Sequence, residues 1–250
     1  MKKIFIWAGL AGLLSLVGCT KADYLDIHAS ERPSLAAYVR FVNARASASP
    51  VHFWTFTNQV TTKPLATGEA SAYLPTVYGN VQFNLTEGSG TSYKVSQQFG
   101  NSAAFTGSGG PNGPIPDYYH TVFAVRKNRS VGDSLILFYD NLATPPAGKA
   151  KLRFVNLSPD LGALSLTGGD VLLRDVPYGR AANSALSGET LSAYTLGPFV
   201  EVNAGTKTLN LSDAAGKPLL SAASVALQEG KIYTVFTQGS PLRLVSIVHN

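Results

Sequence analysis

The chain has 250 residues, of which 45% are apolar, 10% aromatic and only 14% charged, a balance that supplies a core and excludes broad disorder. The formal net charge is +5, with Lys2 and Lys3 in a leader segment and the rest spread thinly, which is no nucleic-acid footprint. The length allows one large domain or two smaller ones, and a single cysteine excludes a disulfide framework.

After Lys2 and Lys3, Ile4 to Val17 is apolar except for glycines and Ser15, a run too short to span a bilayer comfortably and placed as a secretory signal. It closes on Leu16-Val17-Gly18-Cys19, which resembles a bacterial lipobox, with the Cys19 thiol as the atom that takes a diacylglyceryl group. The resemblance implies a signal peptide of residues 1–18, a lipidated tether of 19–29 and a palmitate-type anchor. At about 0.8 kcal/mol per buried methylene, two or three acyl chains anchor a protein stably. The expected partner at this end is therefore the lipid bilayer, through Cys19. Thr20 in place of Asp favours the outer membrane over the inner, with periplasmic and surface-facing placements both open. No later stretch offers eighteen consecutive apolar residues, so the remainder is expected to be exported and soluble.

The mature chain repeats itself. Arg40-Phe41-Val42-Asn43 recurs as Arg153-Phe154-Val155-Asn156, and the same offset of 113 carries Thr121-Val122-Phe123 onto Thr234-Val235-Phe236 and Val51 and Phe53 onto Leu164 and Leu166. Several matches at one offset argue duplication. Asn84-Leu85-Thr86 pairs with Asn210-Leu211-Ser212 at offset 126, so the first copy carries about thirteen extra residues, visible as the Gly- and Pro-rich stretch Gly100 to Pro116. Asp140 to Gly148, with Pro145-Pro146, reads as the connection between copies.

Within each copy the apolar residues alternate or form short runs rich in Val, Phe, Tyr and Thr, broken by Gly, Pro, Asn and Asp, which are strand signals. Val39 and Phe41 share a face, as do Val51 and Phe53, while the denser Leu135 to Tyr139 and Ile232 to Phe236 read as central strands. Helical pattern is confined to Ala181 to Leu191 and Asp23 to Ser30, and neither has convincing period or caps. Seven or so strands per copy predict an all-β fold of two tandem Ig-like, Greek-key β-sandwich modules, residues 30–143 and 148–250, joined by 144–147.

The second copy opens Ala150-Lys151-Leu152-Arg153-Phe154-Val155-Asn156-Leu157-Ser158-Pro159-Asp160, continues Leu164-Ser165-Leu166 and closes Gly230-Lys231-Ile232-Tyr233-Thr234-Val235. This resembles the domain-of-unknown-function family numbered 4397. The first copy departs from that pattern, with Ala44-Arg45-Ala46-Ser47 in place of Ser-Pro-Asp and His120 in place of Tyr233, so its membership rests on the internal repeat. The resemblance implies secreted or anchored β-rich modules, often in tandem, with no catalytic residues assigned.

Donors for chemistry are scattered. His28, His52, His120 and His249 form no metal-binding motif, the one Cys is consumed by the anchor, and no Gly-x-Ser-x-Gly elbow occurs. Gly107-Ser108-Gly109 reads as a flexible loop, because Asn112 stands where a dinucleotide loop needs its third Gly. No catalytic residue, metal or cofactor is expected, although two carboxylates assembled in space leave no local signature. Ser158-Pro159-Asp160 reads as a structural turn, and Arg40 and Arg153 as braces for a loop or a carboxylate. The candidate for recognition is His52-Phe53-Trp54, since alternation turns His52 and Trp54 outward when Val51 and Phe53 face the core; the alternative is that Trp54 packs against the other copy or the Gly-rich insertion. Tyr118 and Tyr119, at the end of the insertion, are candidates to share that surface. The expected function is non-catalytic binding of a glycan or envelope protein by an anchored lipoprotein. The alternatives are a fimbrillin-like envelope assembly subunit and, behind it, a glycan hydrolase.

Overall fold

The computed structural model describes residues 35–47, 49–100, 113–126, 132–182 and 199–250. The lipobox with Cys19, the segment 23–30, His28, the loop 107–112 and all but the first two residues of 181–191 lie outside the described residues. Leu35–Asn250 is one compact unit. Every regular element described in it is a strand: β1 (Ala37–Asn43), β2 (Val51–Thr55), β3 (Asn58–Gln59), β4 (Ala70–Thr76), β5 (Val81–Glu87), β6 (Val95–Phe99), β7 (Tyr119–Arg126) and β8 (Asp133–Asp140) in the first half. The second half holds β9 (Lys149–Val155), β10 (Leu164–Gly168), β11 (Val171–Val176), β12 (Val200–Asn203), β13 (Gly205–Asp213), β14 (Pro218–Leu227), β15 (Ile232–Gln238) and β16 (Arg243–Val248).

The fold is all-β, as the alternation predicts. Each half pairs a sheet of order β4-β1-β7-β8 or β12-β9-β15-β16 with a sheet of order β3-β2-β5-β6 or β11-β10-β13-β14. Among the described residues eight strands per half replace the seven or so expected, because short pieces such as β3 are too brief to show a pattern. The halves are not purely antiparallel: β1 runs parallel to β7, and β9 to β15.

Alternation decides which residues meet. Val39, Phe41, Val51, Phe53, Phe83 and Leu85 close the first core, and Leu152, Phe154, Leu164, Leu166, Leu209 and Val235 close the second. A third cluster lies between the halves, where Val42, Phe123 and Phe138 meet Val155, Phe236 and Ile247, with the Phe123 and Phe236 rings 5.3 Å apart. In the β4-β1-β7-β8 and β12-β9-β15-β16 sheets the inner strands β7 and β15 are therefore buried on both faces, between the module core and the other half. Strands buried on both faces read as continuous apolar runs, which accounts for the dense Ile232 to Phe236. The equally dense Leu135 to Tyr139 is not central: β8 ends its sheet, and β7 takes the inner place. Its density comes from burial against the other half, with Phe138 3% exposed.

Two glycines are obligatory where the insertion leaves and rejoins the fold. A Cβ on Gly100, whose φ is +75°, would stand 2.0 Å from the Gly79 carbonyl oxygen, and one on Gly113 would stand 2.4 Å from the same atom.

Candidate functional site

The β3-β2-β5-β6 sheet presents its outer face to solvent, and alternation selects its residues. Val51, Phe53 and Thr55 point inward, leaving His52 and Trp54 half-buried on the outside. Trp54 pairs with Asn84 on β5 and His52 with Thr86. The indole Nε1 donates to Thr86 Oγ1 at 3.0 Å, so the ring lies across β5. The outward-turned Asn84 and Thr86 are consequently 0% and 1% exposed. His52 Nδ1 lies 3.1 Å from the Thr61 carbonyl and 3.1 Å from Gln59 Nε2, which braces the imidazole against β3.

Two aromatic residues that the sequence reading passed over complete this face. Phe56, at the tip of the β2–β3 hairpin, has φ 52°, a left-handed conformation that is a genuine outlier for a bulky residue. Three hydrogen bonds hold it there: its N–H donates to the Gln82 carbonyl at 2.8 Å, and its carbonyl accepts from Asn84 Nδ2 at 2.6 Å and from Tyr93 Oη at 3.2 Å. Its side chain nevertheless faces solvent, the residue being 42% exposed, as is Tyr93. The Tyr93 ring meets the Trp54 indole edge-on at 6.1 Å. Beside the aromatics, Gln82 Nε2 donates to Asn84 Oδ1 at 2.9 Å and Ser96 Oγ at 2.7 Å, and Ser96 Oγ donates to Asn84 Oδ1 at 2.5 Å. The result is a rigid, uncharged amide and hydroxyl floor. A hairpin tip that demands φ > 0 but carries Phe instead of Asn or Gly was the available signal for Phe56.

Tyr118 and Tyr119 are not part of this face. Tyr119 belongs to β7 in the other sheet, where it stacks on Tyr38 at 5.2 Å and meets Tyr73 edge-on at 5.0 Å; Tyr118 leans on Tyr139 at 5.5 Å. Adjacency to the insertion suggested a shared surface, but the start of β7 leads into the sheet that packs between the halves. At the positions of His52 and Trp54 the second half has Ser165 and Thr167, and Ser165 Oγ is occupied by the Asp175 N–H at 3.1 Å. The aromatic face is thus a feature of the first half.

The titratable groups converge elsewhere, in the seam between the halves. Arg153 Nη2 pairs with Asp140 Oδ1 at 2.8 Å with both side chains 0% exposed. Arg153 Nε donates to Thr234 Oγ1 at 3.0 Å, Thr234 Oγ1 lies 2.8 Å from His249 Nε2, His249 Nδ1 lies 2.5 Å from Tyr73 Oη, and Tyr73 Oη donates to Asp140 Oδ2 at 2.8 Å. With His249 neutral, proton counting around this ring leaves one arrangement: Thr234 donates to Nε2, and His249 donates from Nδ1 to Tyr73. Burial pushes His249 down to about 3, against the pull of Asp140. Burial also raises the Asp140 carboxyl, but the Arg153 guanidinium and the hydrogen bonds from Thr121 and Tyr73 outweigh it, so its pKa lies below the usual carboxylate value. Asp140, Arg153, Thr234 and His249 are buried and only Tyr73 is part-exposed, which suits a joint rather than a substrate site. Asp140, expected in the connection between copies, ends β8 inside this joint.

The two repeated arginines have diverged. Arg153 is the brace just described, whereas Arg40 lies over the Tyr73 ring at 4.5 Å and donates to the Val248 carbonyl. Where the second copy has Ser158, the first has Arg45, bonded to Glu87 at 2.7 Å and Asp133 at 2.8 Å. The Ser158-Pro159-Asp160 segment is a turn, with the Leu161 N–H reaching the Ser158 carbonyl at 3.4 Å. Among the described residues no group of three or more His, Cys, Asp or Glu could hold a metal, and no helix is long and apolar enough to cross a membrane.

A family model described as "Domain of unknown function (DUF4397)" matches residues 37–167, more than half of the chain. The chain belongs to the DUF4397 family. The match runs through the whole first half and into β10, so first-half membership rests on that match and not on the repeat alone, despite Arg45 in place of the Ser-Pro-Asp turn. No curated protein matches the chain. Among solved structures it is similar to a "putative cell adhesion protein" from Bacteroides uniformis ATCC 8492, at 10% identity over 87% of this chain and 98% of that one, with a TM-score of 0.22.

Proposed function

We propose that this DUF4397 protein is a non-catalytic, lipid-anchored protein of the cell envelope that captures a ligand, glycan or protein, on the outer face of its first half. Phe56 is the observation that carries the reading. A left-handed conformation costs an L-residue about 1–2 kcal/mol, and such strain persists where surrounding bonds impose it and function uses it. Here three hydrogen bonds impose it, one of them from Tyr93 Oη to the Phe56 carbonyl, and the residue is left 42% exposed two positions beyond Trp54. The lipobox-like Leu16 to Cys19 supports an outer-membrane anchor, facing the periplasm or the surface. The experiment is binding of residues 20–250, which contain the whole compact unit, to isolated outer-membrane and cell-wall fractions. Association lost in Trp54→Ala supports the proposal; association unaffected by that substitution, or none, removes it.

A second reading, a fimbrillin-like assembly subunit, has an observation of its own. In the first half Gln97 Oε1 closes the sandwich edge by accepting from the Leu135 N–H at 3.0 Å and Ser134 Oγ at 3.2 Å. The register puts Ala223 at the corresponding place in the second half, and a cavity of about 420 Å³ opens there between β14 and β16. β14 carries no charged residue along ten positions, unlike a guarded edge. Concentration-dependent oligomers abolished by Ala223→Lys would favour this reading; a monomer at all concentrations would remove it.

A further inference from the structure

We infer that the ligand of the Trp54 face is an uncharged glycan whose pyranose ring stacks on the indole; this rests on the binding reading above and narrows it. Size is the first argument. With strands about 4.8 Å apart and a rise of about 3.3 Å per residue, five-residue stretches of β2, β5 and β6 cover roughly 240 Å². A stable protein–protein interface takes about 800 Å² from each partner. The face is therefore too small for a protein partner by itself and large enough for a few sugar units.

Chemistry is the second argument. A ligand here meets a flat indole, two exposed aromatic rings and neutral polar groups. Trp54, Asn84 and Ser96 form one rung across the sheet, and Gln82 and Gln98 the next. Among the described residues the Oε1 atoms of Gln59, Gln82 and Gln98 receive no hydrogen bond, while their Nε2 atoms are already committed to partners on the protein. The face thus offers unfilled acceptors, which match hydroxyl donors and repel carboxylates and sulfates. Aromatic faces carry negative quadrupole density that favours the polarised C–H groups on one side of a sugar ring. Sulfated or uronate polymers call for Arg or Lys, and the outward strand positions of β2, β5 and β6 carry none.

The test is native affinity electrophoresis of residues 20–250 through laminarin, galactomannan and dextran on one side and polygalacturonate and alginate on the other. The expected result is retardation by at least one uncharged polymer, equal at low and high salt. Binding should weaken about tenfold or more in Trp54→Ala, as for a central aromatic anchor, and also weaken in Phe56→Asn, a variant suited to the left-handed backbone. Unchanged melting of the Phe56→Asn chain keeps a folding defect out of the result. Retardation only by the uronate polymers, retardation indifferent to both substitutions, or none at all would overturn the inference. Association with envelope fractions that depends on Trp54 would still stand in the first and last cases, so this failure is separable from failure of the binding reading.

Discussion

Replacing Asp140 by Asn tests the joint between the halves. The substitution keeps the shape but removes the carboxylate paired with Arg153 at 2.8 Å, a guanidinium that is itself 1% exposed. It also puts an amide where Tyr73 and Thr121 both donate to Oδ2, at 2.8 and 2.5 Å. Breaking a buried ion pair by removing one partner costs about 3–5 kcal/mol, a large share of the roughly 5–15 kcal/mol that holds a typical protein folded. At about 2–4 °C per kcal/mol for a unit of this size, the melting midpoint should fall by roughly 10 °C. The assay is urea unfolding followed by far-ultraviolet circular dichroism. Asp140→Asn combined with Arg153→Met should recover most of the loss, because replacing both partners is far less costly than removing one. A single-substitution cost under about 1 kcal/mol, or a double variant as unstable as the sum of the singles, would refute the ring as the joint.

The remaining predictions concern pH, one glycine and the face itself. Burial lowers His249 to about 3 and His120 to about 4 from an ordinary value of 6.5. The folded state therefore binds fewer protons than the unfolded one below pH 6.5, and stability should fall as pH drops from there towards 3, by up to about 1.4 kcal/mol per pH unit for each group. Flat stability between pH 6.5 and 4 would contradict that, and His249→Gln should reduce the slope. Gly100→Ala should destabilise by at least about 2 kcal/mol, since its Cβ would meet the Gly79 carbonyl at 2.0 Å on a left-handed backbone; an unchanged unfolding midpoint would mean that the approach relaxes freely. Phe56→Asn should leave stability within about 1 kcal/mol, because relief of strain offsets the lost contact of a partly exposed ring, whereas a loss above about 2 kcal/mol would make Phe56 a packing residue.

Much of the fold is legible in the sequence because a strand's period of two is a local property. Val39 and Phe41, or Val51 and Phe53, declare a face on their own. The repeat adds the rest: Arg40 in β1 sits opposite Thr121 of β7 just as Arg153 in β9 sits opposite Thr234 of β15. What stays hidden is whatever depends on contacts between the halves. Nothing local in Asp140 says that it will meet Arg153 thirteen residues on, or that His249 will close the ring at the far end of the chain. Trp54 is legible as an outward residue, because parity alone decides it. Phe56 offers only the weaker signal of a bulky residue at a hairpin tip and Tyr93 offers none, and Tyr118 and Tyr119 misled because closeness to a loop in sequence is not closeness to a sheet face in space.

Trp7 and Trp54 are the two tryptophans of the chain, so in residues 20–250 intrinsic fluorescence reports Trp54 alone. Titration of that chain with laminarin and galactomannan, reading emission and its quenching by acrylamide, tests the outer face directly. The account predicts a saturable shift in emission and protection from acrylamide with at least one of these polymers. Emission and quenching that stay constant with both, and equally constant on adding a detergent extract of the cell envelope, would contradict it.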